Sequence, residues 1–202
     1  MVTPLLAILV QLSSLHIGAS AWVDWQSLGA IPDSQVAAAN NTASLNAALA
    51  SLWPGDTLYI ANRTFWMAGG VQAIGIASLT LHLDGTLRFL PGRTGWPVHE
   101  SAWCQKWWNP VQPAPGKECV AEAIFLANVR GLTLTSNGTG TLYGSGEAWW
   151  GYLRYLIHRE NRPRLFSLVN ATDVLVENWS FLQARPSNSS HVVVMVAVLV
   201  MW

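Results

Sequence analysis

Charged side chains are scarce in this chain. Eleven Lys and Arg and eleven Asp and Glu among 202 residues cancel to a formal net charge of zero. That argues against nucleic acid as a partner, because phosphate affinity rests on clustered Lys and Arg. Cysteine is scarcer still, with only Cys104 and Cys119. Two thiols without histidine at ligand spacing give too few donors for zinc, so no metal site is expected. No phosphate-binding glycine loop or Ser/His/Asp set occurs, and no cofactor is expected. Long apolar runs are also missing. The run Val192 to Val200 has nine residues, less than half of the about 20 that a membrane span requires.

What is present begins with the first 21 residues. Pro4 to Val10 is apolar, and the segment closes on Ala19-Ser20-Ala21, with the small residues that signal peptidase accommodates. Residues 1–21 are therefore read as a signal peptide, although the segment before the apolar run lacks Lys and Arg. Six glycosylation acceptor patterns, at Asn40, Asn62, Asn137, Asn170, Asn178 and Asn188, point the same way, to a secreted glycoprotein. In an oxidising compartment Cys104 and Cys119 would close a loop of about 15 residues, worth about 3 kcal/mol. Tryptophan, at twelve residues, is abundant; its ring stacks on sugars but more often packs a wall or core.

The early chain predicts one helix. Thr42 can cap it, and Leu45, Leu49 and Leu52 recur at helical spacing before Pro54-Gly55. Asp56 to Ile60 then reads as a strand. From Ser78 a repeated phrase begins: Leu79, Leu81 and Leu83 alternate with Thr80, His82 and Asp84, and Gly85 turns a corner into Leu87 to Leu90. The phrase returns at Asn128 to Thr135 followed by Gly140 to Gly144, and again at Asn170 to Glu177 followed by Trp179 to Leu182. Short strands between polar corners suggest stacked coils of a solenoid, each burying the apolar row of its neighbour. Two insertions, Thr94 to Glu122 and Glu147 to Pro163, make the spacing irregular. A sandwich of hairpins competes but would call for hairpin turns at regular spacing. Apolar residues at Trp149, Tyr152, Leu153 and Leu156 predict a short wall helix in the second insertion.

In their order, these phrases resemble glycoside hydrolase family 28, the polygalacturonase and rhamnogalacturonase group with the pectin lyase-like fold. The resemblance is carried by Pro54-Gly55-Asp56-Thr57-Leu58-Tyr59-Ile60, by Ser78 to Leu87, and by Asn128-Val129-Arg130-Gly131-Leu132-Thr133-Leu134 leading to Gly144-Ser145-Gly146 and Trp149-Trp150. Arg162-Pro163-Arg164-Leu165 before Val174 completes it, and Tyr143 departs from the Asp-Gly pair relatives often carry there. The resemblance implies an all-β fold, a right-handed parallel β-helix of which residues 22–184 are the N-terminal part, with a short N-terminal helix and wall insertions. It also implies hydrolysis of galacturonan-type pectin with inversion. The motifs that catalyse that reaction in the family (Asn-Thr-Asp, Asp-Asp, Gly-His-Gly and Arg-Ile-Lys) do not occur here, so no catalytic residue is assigned.

No substitute pair stands out. Glycoside hydrolysis needs two carboxyl groups about 5 Å apart, or about 6.5 to 9.5 Å for inversion. Asp173 and Glu177 in one extended strand would lie about 13 Å apart. His82 and Asp84 share a face at about 6.6 Å and read as solvated wall residues. Glu147 beside Trp149 has no evident partner and fits a helix N-terminus. Residues 185–202 break with the preceding pattern, and this apolar tail is read as sequence foreign to the family, from a truncated or mis-spliced product. The expected function is that of a polygalacturonase-like chain without activity of its own, with pectic polysaccharide as partner. The alternative is a non-catalytic carbohydrate-binding or structural β-helix glycoprotein.

Overall fold

The computed structural model describes residues 20–92, 94–99, 119–150, 163–182 and 192–193. The elements, in order, are β1 (Trp22–Asp24), α1 (Ala38–Ser51), β2 (Thr57–Ile60), β3 (Thr64–Met67), β4 (Val71–Ile74), β5 (Ala77–Leu83), β6 (Thr86–Phe89), β7 (Val98–His99), β8 (Cys119–Val120), β9 (Ile124–Thr135), β10 (Gly140–Tyr143), α2 (Glu147–Trp150), β11 (Phe166–Val176), β12 (Trp179–Leu182) and β13 (Val192–Val193). Short 3₁₀ turns at Trp25–Leu28 and Gln35–Ala37 join β1 to α1.

Strands pair in parallel with strands one coil away, which makes three walls. The first joins β4, the leading half of β9 and the leading half of β11. The second runs β1, β2, β5, the trailing half of β9 and the trailing half of β11. The third runs β3, β6, β10 and β12. Only β7 with β8 and β12 with β13 are antiparallel among the described strands. The tail therefore meets the stack at Val192–Val193, which lies along β12. That short strand is paired; the rest of the apolar tail lies outside the described residues.

The alternation read in the sequence gives the core. Leu58, Leu81 and Leu134 stand in register on the second wall and point inward, as do Phe65, Leu87 and Leu142 on the third. Each is buried, and burying one such side chain contributes about 1.5 to 3 kcal/mol. No single coil could do this, since each row is covered only by its neighbours.

The corners explain how β9 and β11 turn without ending. Gly55, Ser78, Gly131 and Asp173 occupy equivalent positions in four successive coils, and all have positive φ. A second column of left-handed residues, Gly75, Asn128 and Asn170, lies at the start of the same bend. Asn and Asp tolerate this conformation better than other side chains, which is why different residues hold one corner. Gly85 is a stricter case: a Cβ there would collide with the carbonyl oxygens of Ala61 and Arg63 in the coil below.

The helix differs from its expected form. It starts at Ala38, not after Thr42, because the preceding 3₁₀ turn runs directly into it. Thr42 lies inside α1 and caps nothing; its hydroxyl accepts the Ala68 N–H at 3.0 Å. Asn41 is fully buried, donates to the carbonyls of Ile31 and Trp66, and accepts the Ile31 N–H at 2.8 Å. Asn46 accepts the Gln72 N–H at 2.8 Å and donates to the Gly70 carbonyl. The polar face of α1 thus satisfies backbone groups along β3 and β4 that have no further coil to pair with. Such a cover is what a solenoid end requires.

Candidate functional site

The outward face of the second wall carries the titratable residues singled out in the sequence. Asp24, Tyr59, His82 and Thr135 are in register on successive strands. Trp22, largely exposed, lays its ring over two of them, 5.4 Å from Tyr59 and 5.3 Å from His82. The expectation of solvated wall residues at His82 and Asp84 is corrected here. Their side chains meet, with His82 Nε2 3.1 Å from Asp84 Oδ1, and both are mostly buried.

Asp84 is already occupied. Its Oδ1 accepts the Asn137 N–H and its Oδ2 the Asn137 side-chain amide, each at 2.8 Å, while its backbone carbonyl accepts from Thr139 Oγ1 at 2.7 Å. Burial alone would raise its pKa, but the Asn137 amides and His82 outweigh it and hold the carboxyl below its ordinary value. Burial, and then the nearby Asp84 charge, pushes the Tyr59 hydroxyl above its usual range. This cluster clasps one coil to the next across a corner. A carboxylate with a depressed pKa and both oxygens engaged is poorly suited to act as a general acid near neutral pH.

Three other described carboxylates do similar work. Asp56 accepts from the Ala21 and Trp53 N–H groups, Asp33 from Arg63, and Glu177 from Thr135 Oγ1 at 2.9 Å. The Arg63 bond lowers Asp33. Asp173 and Glu177 do not lie along one straight strand, because the backbone bends at Asp173, where φ is positive. Glu177 stands two strand spacings from His82, which sets its backbone roughly 12 Å from that of Asp84. Each carboxylate is instead engaged by its own partner, Glu177 by Thr135 and Asp84 by Asn137. Among the described residues no group of three or more His, Cys, Asp or Glu could hold a metal ion, and no helix is long and apolar enough to cross a membrane.

The second insertion is helical at its start, in α2; residues 151–162, where Tyr152, Leu153 and Leu156 were expected to continue it, lie outside the described residues. Trp149 is a buried packing residue, edge-on to Trp96 at 5.0 Å. Cys119 begins β8, but Cys104 lies outside the described residues, as do Asn188, Met1 to Ala19 and most of the tail. The acceptor asparagines Asn40, Asn62, Asn137, Asn170 and Asn178 are all exposed. Three have the side-chain amide engaged: Asn40 with Gly29, Asn137 with Asp84 and Asn170 with Asn128.

The third wall holds a cluster that the sequence reading missed. Trp66, Arg88 and Tyr143 are in register on β3, β6 and β10 and face outward. The Arg88 guanidinium lies 4.6 Å from the Trp66 ring centroid and 4.9 Å from that of Tyr143. One row away along the strands, Thr64, Thr86, Thr141 and Ser180 form a line of hydroxyls on the same face. The available signal was the shared phrase Gly-Thr-Leu at Gly85 and at Gly140, which sets Arg88 opposite Tyr143.

The walls, corner columns and helical cover define a parallel β-helix. A similar solved structure is a hyperthermoactive exopolygalacturonase from Thermotoga maritima, at a TM-score of 0.52 and 17% identity over 80% of this chain and 41% of that one. At that identity the likeness establishes the fold. The chain spans about two fifths of that enzyme's length. No family model matches the chain, and no curated protein matches it by sequence.

Proposed function

We propose that this chain is the N-terminal part of a polygalacturonase-like β-helix that binds pectic polysaccharide and does not cleave it unaided. The observation that carries the reading is the engagement of three described carboxylates in a fold shared with an exopolygalacturonase. Asp84, Asp56 and Glu177 each hold a corner or an end through hydrogen bonds. The proposal includes secretion: residues 1–21 are the signal peptide, residues 22–184 the β-helix and residues 185–202 an added apolar tail. Cleavage after Ala21 leaves Trp22, which opens β1, as the first residue. A disulfide between Cys104 and Cys119 and glycans at a subset of the acceptor asparagines belong to the same reading.

A reducing-end assay on polygalacturonate, paired with calorimetric titration of oligogalacturonate, tests it. Binding with no new reducing ends supports the proposal. Turnover by the purified chain overturns the non-catalytic reading, and the absence of binding overturns the polysaccharide reading.

A further inference from the structure

On the third wall, Arg88 is a cation without an anion. Among the described residues its charge meets the two aromatic faces, and Nε is buried with no hydrogen-bond partner. Asp33 and Arg63 show the ordinary arrangement elsewhere in this chain, a guanidinium paired with a carboxylate. Stacking on both sides fixes the plane of the Arg88 guanidinium while leaving its in-plane donors unused. A planar fork held in that way is pre-organised to receive a carboxylate through two parallel hydrogen bonds. The surrounding wall favours a sugar acid over a simple anion. Thr64 and Thr86, one strand spacing apart, and Ser180, two spacings further on, present hydroxyls with no hydrogen-bond partner among the described residues, beside a row with two aromatic rings.

The geometry points to Arg88, flanked by Trp66 and Tyr143, as a subsite for the carboxylate of a uronic acid residue in a polysaccharide laid across β3, β6 and β10. This rests on the proposed pectin binding and adds what that reading leaves open: recognition of the charged, unesterified sugar on a wall other than the one bearing His82 and Asp84. The hydroxyl row would bond ring hydroxyls of the same chain.

The test is titration of the full chain with oligogalacturonate and with its methyl-esterified form. The wild-type chain is expected to prefer the free acid by about tenfold, a preference that weakens with salt. Arg88→Lys keeps the charge but not the planar fork and should lose most of that preference, while binding of the ester is unchanged. Arg88→Gln should abolish it, with unchanged circular dichroism confirming the fold. A wild-type chain that binds both forms equally, or an Arg88→Lys chain that keeps the full preference, overturns the subsite and leaves polysaccharide binding intact. A wild-type chain that binds neither form overturns both readings.

Discussion

Asn170 donates its side-chain amide to Asn128 Oδ1 at 2.6 Å, and both residues stand in the left-handed conformation at the same corner of successive coils. This bond turns two strained residues into a ladder that holds β9 and β11 in register through their bend. Replacing Asn128 with alanine removes the acceptor and places a residue without a compensating side chain at positive φ. It should cost about 1 to 2 kcal/mol, read as a lower denaturation midpoint with an unchanged slope.

The same geometry sorts the acceptor asparagines. Asn62 and Asn178 are exposed with no hydrogen bond to the side-chain amide among the described residues, whereas Asn137 and Asn170 spend theirs on Asp84 and Asn128. Glycopeptide mapping of the chain expressed through a secretory host should find Asn62 and Asn178 occupied. Full occupancy of Asn170 would contradict the ladder.

The helical cover is tested at Asn41. Asn41→Ala would leave the N–H of Ile31 and the carbonyls of Ile31 and Trp66 without their partner in a buried site. An unsatisfied buried group costs about 1 to 3 kcal/mol, so a loss of several kcal/mol is expected in chemical denaturation.

Acid should loosen the corner at Asp84. Because its folded pKa lies below its unfolded value, its contribution is fully present above the ordinary carboxylate range and is lost as pH falls through the folded pKa. Thermal stability should therefore decline on acidification below about pH 4. Asp84→Asn should be less stable at neutral pH and should flatten that decline.

How much of this was legible in the sequence follows from what the residues have to do. Leu79, Leu81 and Leu83 announce a strand because one face must be apolar, and the structure buries all three. The corner column at Gly55, Ser78, Gly131 and Asp173 was hidden because four positions solve one backbone problem with three residue types. Strands β3 and β4 and the leading halves of β9 and β11 were passed over because their outward positions carry Trp66, Ile74 or Phe125, which blurs the alternation. Thr42 looked like a cap because its hydroxyl suits one; the fold uses that hydroxyl on Ala68 instead. Arg88 was silent for another reason. Its partners Trp66 and Tyr143 lie in other coils, and only the register of β3, β6 and β10 brings them together.

The proposed function is that of a β-helix that binds pectic polysaccharide without cleaving it. The most direct measurement is reducing-end release from polygalacturonate by the purified chain under conditions where calorimetry shows the polymer bound. The account predicts saturable binding and no release above the protein-free control. Release that scales with protein concentration would contradict it.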